Sequence, residues 1–168
     1  KKKAEEKKGI YRWYWYLNEK GVDRPRRTVK KSKNEPSGKN VLPGDYRAVI
    51  HYGNQSSETK ITVSQDPRLE IKYADLKAVY DATTELEAYT QLAADVLKQL
   101  ADSKKRAKTL ENQLREINKD KHKEAIEASK NIVTKIDSLV AVFLGKEDKR
   151  QGIVRNPKQT VTTRIQTA

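Results

Sequence analysis

Cysteine is absent from the 168 residues. That excludes disulfides, thiolate metal centres and cysteine nucleophiles, and it leaves the compartment open, because a chain without cysteine suits any redox environment. Histidine is nearly absent: His51 falls in a predicted strand and His122 at a predicted helix start, at no spacing that would gather a metal cluster. The seven glycines are scattered through turns, so there is no glycine-rich phosphate loop, and no Gly-x-Ser-x-Gly elbow accompanies the serines. Most carboxylates alternate with lysines on predicted helices, as solvated i, i+4 partners do, and none stand out as a glycosidase pair. No run approaches the roughly 18 consecutive apolar residues of a membrane span. The N-terminus, Lys1-Lys2-Lys3-Ala4-Glu5-Glu6-Lys7-Lys8, has no apolar stretch behind it, so no signal peptide is read. Lacking an initial Met, the chain is expected to be a piece of a longer protein. These absences predict a scaffold or interaction module that is not an enzyme and carries no cofactor or metal.

What is present is wet and basic. Hydrophobic residues make up 35% and charged residues 35%, fewer apolar side chains than a compact domain ordinarily holds, so an elongated shape is expected. Eight Tyr, two Trp and one Phe nevertheless argue against a disordered chain. The length suits one ordinary domain or two small ones. The net charge of +13 divides unevenly, +9 over residues 1–63 and +4 over residues 64–168. A basic first third raises the possibility of a nucleic-acid partner.

Two regions follow from the patterning. In residues 1–65 the run Ile10 to Leu17 is rich in aromatics and reads as a strand, with Tyr11, Trp13, Trp15 and Leu17 on one face. Residues 18–40 read as a long polar loop. Pro43-Gly44 turns the chain into a second strand, Asp45 to Tyr52, and Gly53-Asn54 reverses it into a third, Thr59 to Val63. Three strands cannot bury both faces of a sandwich, so further strands are expected upstream or from a partner. Residues 66–72 are a linker. Residues 73–168 read as an antiparallel helical hairpin with the start of a third helix. Neither Gly nor Pro interrupts Tyr73 to Asn118, and a second helix runs from about Lys123 to Leu144, where Gly145 stops it. Asn156-Pro157 reads as the entry to the third helix, with Val161 and Ile165 on its buried face.

Three groups of residues are candidate sites. Val79, Leu86, Ala93, Leu100, Ala107 and Leu114 recur seven apart along the first helix, and a neighbouring series runs through Ala82, Tyr89, Val96, Leu110 and Ile117, so that together they make one apolar stripe. Its default meaning is a buried seam, and any part left uncovered by the shorter second helix is a docking surface. Trp13 and Trp15 offer an aromatic platform for sugar, although packing inside the sandwich is the weightier expectation for large aromatics. Arg24, Arg26, Arg27, Lys30, Lys31 and Lys33 crowd one loop, as polybasic phosphate-binding patches do, or else form a solvated surface.

A family resemblance bears on these alternatives. Gly9-Ile10-Tyr11-Arg12-Trp13-Tyr14-Trp15-Tyr16-Leu17 resembles the G-x-N-R-x-x-W-D-L-R strand of a bacterial secreted family, and Val41-Leu42-Pro43-Gly44-Asp45-Tyr46 resembles its P-G-x-Y strand. Ile61-Thr62-Val63-Ser64-Gln65-Asp66-Pro67-Arg68 is similar to its F-x-V-x-x-D-P-R junction, and Arg155 to Val161 to the start of its last helix. The family is that of Bacteroidetes-type proteins with sortilin-like, Asp-box (BNR) repeat β-propellers, often labelled glycosyl hydrolases. This chain resembles the region after the propeller and has no Asp-box of its own. The resemblance implies a partial immunoglobulin-like β-sandwich followed by a helical bundle, an α+β chain. It also implies a secreted, periplasmic or cell-envelope parent. The expected function is therefore a non-catalytic accessory region that braces or positions the missing N-terminal propeller. A homo-dimer of the fragment is a further expected partner, carbohydrate binding is the alternative, and nucleic-acid binding through the basic loop is third.

Overall fold

The computed structural model describes residues 9–28, 34–146 and 159–167. The chain is α+β. Its elements run β1 (Asn18–Lys20), β2 (Ser37–Asn40), β3 (Gly44–Tyr52), β4 (Gln55–Val63), α1 (Tyr73–Asn118), α2 (Lys123–Leu144) and α3 (Val161–Thr167). The strands form two separate two-stranded antiparallel sheets, β1–β2 and β3–β4.

In β3–β4 every residue pairs in one register, from Gly44 opposite Val63 to Tyr52 opposite Gln55. The two-residue turn needs a positive φ, and Gly53 supplies it at 54°. Along this ribbon only Tyr46, Ala48, Ile61 and Val63 are even half-buried. Among the described residues no backbone contact joins either strand to a helix or to the other strand pair.

Two expectations about the β region change. The aromatic run 10–17 belongs to no sheet among the described residues, and all of it is exposed. Residues 11–16 are nonetheless extended, because rings two residues apart stack on alternate sides, Tyr11 on Trp13 and Tyr14 on Tyr16, and Leu17 then bends the chain at φ 55°. The stretch 18–40, expected to be all loop, contains β1 and β2. The reason lies in two glycines. A Cβ on Gly21 would stand 2.5 Å from the Ser37 carbonyl oxygen, and one on Gly38 would stand 2.9 Å from the Gly21 nitrogen. Only glycine lets the two backbones cross this closely. The Gly21 amide donates to the Pro36 carbonyl at 2.8 Å, which closes the pair.

After β4 the Asp66-Pro67 junction turns the chain. Asp66 Oδ1 accepts the Arg68 amide at 3.0 Å, and its carboxylate also pairs with the Arg68 guanidinium. α1 then runs 46 residues unbroken, through Asp102 and Ser103, and so spans roughly 70 Å. Asp75 in its first turn favours the helix dipole. Residues 119–122 reverse the chain, with Asn118 Oδ1 accepting the Lys121 amide at 3.0 Å. α2 folds back on α1, and Lys104 meets Asp137 across the pair. Gly145 ends α2 at φ 78°, its amide bonded to the Ala141 carbonyl at 2.9 Å.

The core is the seam of α1 against α2 and, beyond the end of α2, against α3. On α1 it alternates steps of three and four: Leu86, Thr90, Ala93, Leu97, Leu100, Lys104, Ala107, Glu111 and Leu114 are all buried or half-buried. On α2 it is Ile126, Ser129, Val133, Ile136, Val140 and Phe143. This is the 3.5-residue repeat of helices that wrap each other. α3 sits at one end, contacting both helices, with Thr162 Oγ1 donating to the Phe143 carbonyl at 2.8 Å. The expected N-cap at Asn156-Pro157 lies outside the described residues. The core is thin: among the described residues no side chain falls below 2% exposure.

Candidate functional site

Of the two seven-residue series read from the sequence, the structure buries most of one and leaves the other largely bare. Leu86, Ala93, Leu100, Ala107 and Leu114 lie in the seam, and Val79 alone of that series is exposed, at 67%. The seam's second row is Thr83, Thr90, Leu97, Lys104 and Glu111, one residue on from the series Ala82 to Ile117. Polar members hide this row from a hydrophobicity reading. Their stems pack while their heads find partners: Lys104 takes Asp137, and Glu111 takes Arg115 at 2.8 Å. The apolar series therefore lies beside the seam. Tyr89, Leu110 and Ile117 are exposed, Ile117 at 73%.

α2 repeats the pattern. Ile132 and Leu139, each one residue before a seam position, are also exposed. In an antiparallel pair, rows that precede the seam on both helices flank it on the same side. Tyr89, Leu110 and Ile117 of α1 and Ile132 and Leu139 of α2 thus share one uncovered apolar face.

Near the start of α1 the opposite side of the seam is covered, and a charge cluster holds the cover. Lys39 on β2 reaches Glu87 on α1 at 2.8 Å and Glu19 on β1 at 3.3 Å, with its side chain only 11% exposed. Its ammonium stands 4.6 Å from the centre of the Tyr80 ring, and the Tyr80 hydroxyl donates to Glu19. The hydroxyl, then Lys39, holds the Glu19 carboxyl below its ordinary value, against the opposing effect of burial. The Glu87 carboxylate raises Lys39, and the bond to Glu19 raises Tyr80. Nearby, Gln91 Oε1 accepts the Asp23 amide at 3.0 Å. The cluster therefore clamps the β1–β2 ribbon to α1. Sequence reading missed it because its members are 61 and 48 residues apart and have no shared motif.

The basic loop divides. Arg27 donates to the Leu144 carbonyl at 3.3 Å and also to that of Gly145, so it caps the C-terminus of α2. Arg24 and Arg26 are exposed. Lys30, Lys31 and Lys33 lie outside the described residues. Trp13 and Trp15 are 47% and 41% exposed rather than packed in a core, because among the described residues no second sheet faces them. Trp15 meets only the edge of the Tyr46 ring, at 5.4 Å, and donates its indole N–H to the Asn18 carbonyl at 3.0 Å. Between this corner and the start of α1 lies an open groove of about 630 Å³, lined by Leu17, Val41, Leu42, Val63, Leu76 and Val79.

Among the described residues no group of three or more acidic or histidine side chains is placed to hold a metal ion, and no helix is long and apolar enough to cross a membrane. No family model, curated protein or solved structure matches the chain.

Proposed function

We propose that this chain is a non-catalytic accessory region that docks onto, and positions, a β-propeller domain of a larger secreted or cell-envelope protein. The observation that carries this is the uncovered face of Tyr89, Leu110, Ile117, Ile132 and Leu139. Rows of exposed apolar side chains on two adjoining helices mark an interaction surface. In this proposal α1 and α2 are an antiparallel hairpin that a partner completes into a bundle, and the two small sheets belong to an immunoglobulin-like sandwich. The docking face is the series flanking the seam. Of the Val79–Leu114 series, only Val79 remains exposed to join it.

Light scattering over a range of concentrations, with binding of an apolar dye, tests this. The chain should bind dye and associate reversibly, and a Leu110→Glu/Leu139→Glu variant should do neither while keeping its helicity. A chain that stays monomeric and binds no dye overturns the proposal.

A second reading is favoured by one observation, the exposure of Trp13 and Trp15. In it the aromatic corner retains polysaccharide weakly by ring stacking. Affinity electrophoresis in polysaccharide gels should show retardation that Trp13→Ala removes without unfolding the helices. Equal mobility of the two proteins in every gel removes this reading.

A further inference from the structure

We infer that residues 10–16, which lie outside both sheets in the structure, add to the outer edge of β3 as a third strand, in a defined register set by a one-residue bulge at Leu17. The edge and the strand are both present in the chain. In a hairpin with a two-residue turn the closing pair, here Tyr52 and Gln55, exchanges hydrogen bonds. β3 therefore turns the N–H and C=O groups of Asp45, Arg47, Val49 and His51 away from β4. No strand covers that edge among the described residues. A two-stranded ribbon is marginal in water, and a third strand is the usual minimum for independent stability.

The occupant is identified by continuity. β1 and β2 pair with Asn18 opposite Asn40, and the ladder already extends one step further, where the Val41 amide donates to the Leu17 carbonyl at 2.9 Å. Beyond that step β2 leads into β3, and β1 leads back into residues 10–16. This segment is extended, as its i, i+2 ring stacks show, and Trp15 already touches Tyr46 on β3. Tethering at Leu17 gives it a millimolar-scale effective concentration at its own edge, well above any second copy in dilute solution.

Leu17 sets the register. Its φ of 55° is the left-handed conformation that opens a bulge. One extra residue there places Tyr11 opposite Tyr46, Arg12 opposite Asp45 and Trp13 opposite Gly44. Each match is favourable: two aromatics, opposite charges, and a large ring over a glycine in an edge strand. Without the bulge Arg12 would oppose Tyr46, and Tyr11, Trp13 and Trp15 would point to the polar face. With it they join Tyr46 and Ile61 in one continuous aromatic face. Trp15 exchanges its present contact with Tyr46 for a place opposite Leu42. This inference is independent of the helical docking face.

Because the chain has no cysteine, cross-linking tests it cleanly. Tyr11 and Tyr46 would be a non-hydrogen-bonded pair, close enough for a disulfide. Mild oxidation of a Tyr11→Cys/Tyr46→Cys variant should give a monomeric, internally bridged chain, about tenfold faster than a Tyr14→Cys/Tyr46→Cys control on the wrong face. Equal rates, no bridge, or bridges only between chains overturn the inference. The unaltered chain supplies a second test. At low micromolar concentration the amides of Arg12 and Arg47 should exchange at least about tenfold more slowly than an unstructured peptide. Protection that is missing, or that grows with concentration, overturns it, the latter in favour of a second copy.

Discussion

The helical pair and the β3–β4 ribbon meet water in opposite ways. Each helix satisfies its own backbone, so its remaining requirement is to bury one stripe of side chains, and on α1 the stripe from Leu86 to Leu114 is covered by α2 and, beyond its end, by α3. The ribbon satisfies only half of its backbone edges, and it buries little, with Tyr46 and Ile61 half-covered while Ile50 and Tyr52 stand in solvent. What each region leaves open differs accordingly. The helices leave an apolar face and the ribbon leaves a hydrogen-bonding edge. The first suits docking of another packed surface, the second the addition of a strand.

The sharpest way to break this comparison is to strike the same kind of blow in both regions. Leu97 is 3% exposed at the centre of the seam, so Leu97→Ala should cost about 2–5 kcal/mol in denaturant unfolding followed by helical circular dichroism. Ile50→Ala in the ribbon should change that unfolding free energy by less than about 0.5 kcal/mol. Similar losses from the two would mean that the ribbon is covered in solution.

The β1–β2 pair lies between these extremes, since it has few buried side chains but is fastened to α1. Gly21→Ala forces a Cβ into the Ser37 carbonyl, and the backbone shift should cost about 1–3 kcal/mol, with loss of the Tyr80–Glu19 contact in NMR spectra. An unchanged Tyr80 environment would show that the two glycines are not in close approach.

The smallest effect concerns the clamp. Glu19 is held below its ordinary value of 4.5, so its contribution is present above that pH and is lost as pH falls through the lowered value. Lys39 and Tyr80 are raised above 10.5 and 10.0, so theirs is complete below those values and is lost as pH rises through the raised ones. Ribbon attachment should therefore be constant from about pH 5 to pH 9 and loosen on both sides. Lys39→Met should remove about 1–2 kcal/mol and shrink the acid limb, which the Tyr80 hydroxyl still supports, whereas Glu19→Gln should abolish it. An acid limb that survives in Glu19→Gln would move the titration elsewhere.

Much of the helical half was legible beforehand. The lack of Gly and Pro from Tyr73 to Asn118 and the stop at Gly145 define α1 and α2 through local backbone preferences alone. The seam was half legible. One of its rows is apolar and shows at a period of seven, whereas the other contains Thr90, Lys104 and Glu111, which bury their stems and pair their heads. The apolar row beside it was legible too, but as part of the buried stripe. The β half was least legible. Aromatic alternation in Ile10 to Leu17 predicts a strand, whereas residues 11–16 are extended but join no sheet among the described residues, because alternation says nothing about whether a ladder partner is in place.

By itself, then, the amino-acid order determined what short-range physics controls: helix extent, the turn at Gly53, the extended aromatic run, and the absence of any cysteine or glycine-rich phosphate site. Tertiary structure alone decided which of two adjacent rows faces the partner helix, that Arg27 closes the end of α2, and that Lys39, Glu19, Glu87 and Tyr80 meet. Those outcomes rest on contacts between residues tens of positions apart. Such contacts form only once helix phase and backbone crossing are set, and no local pattern encodes them.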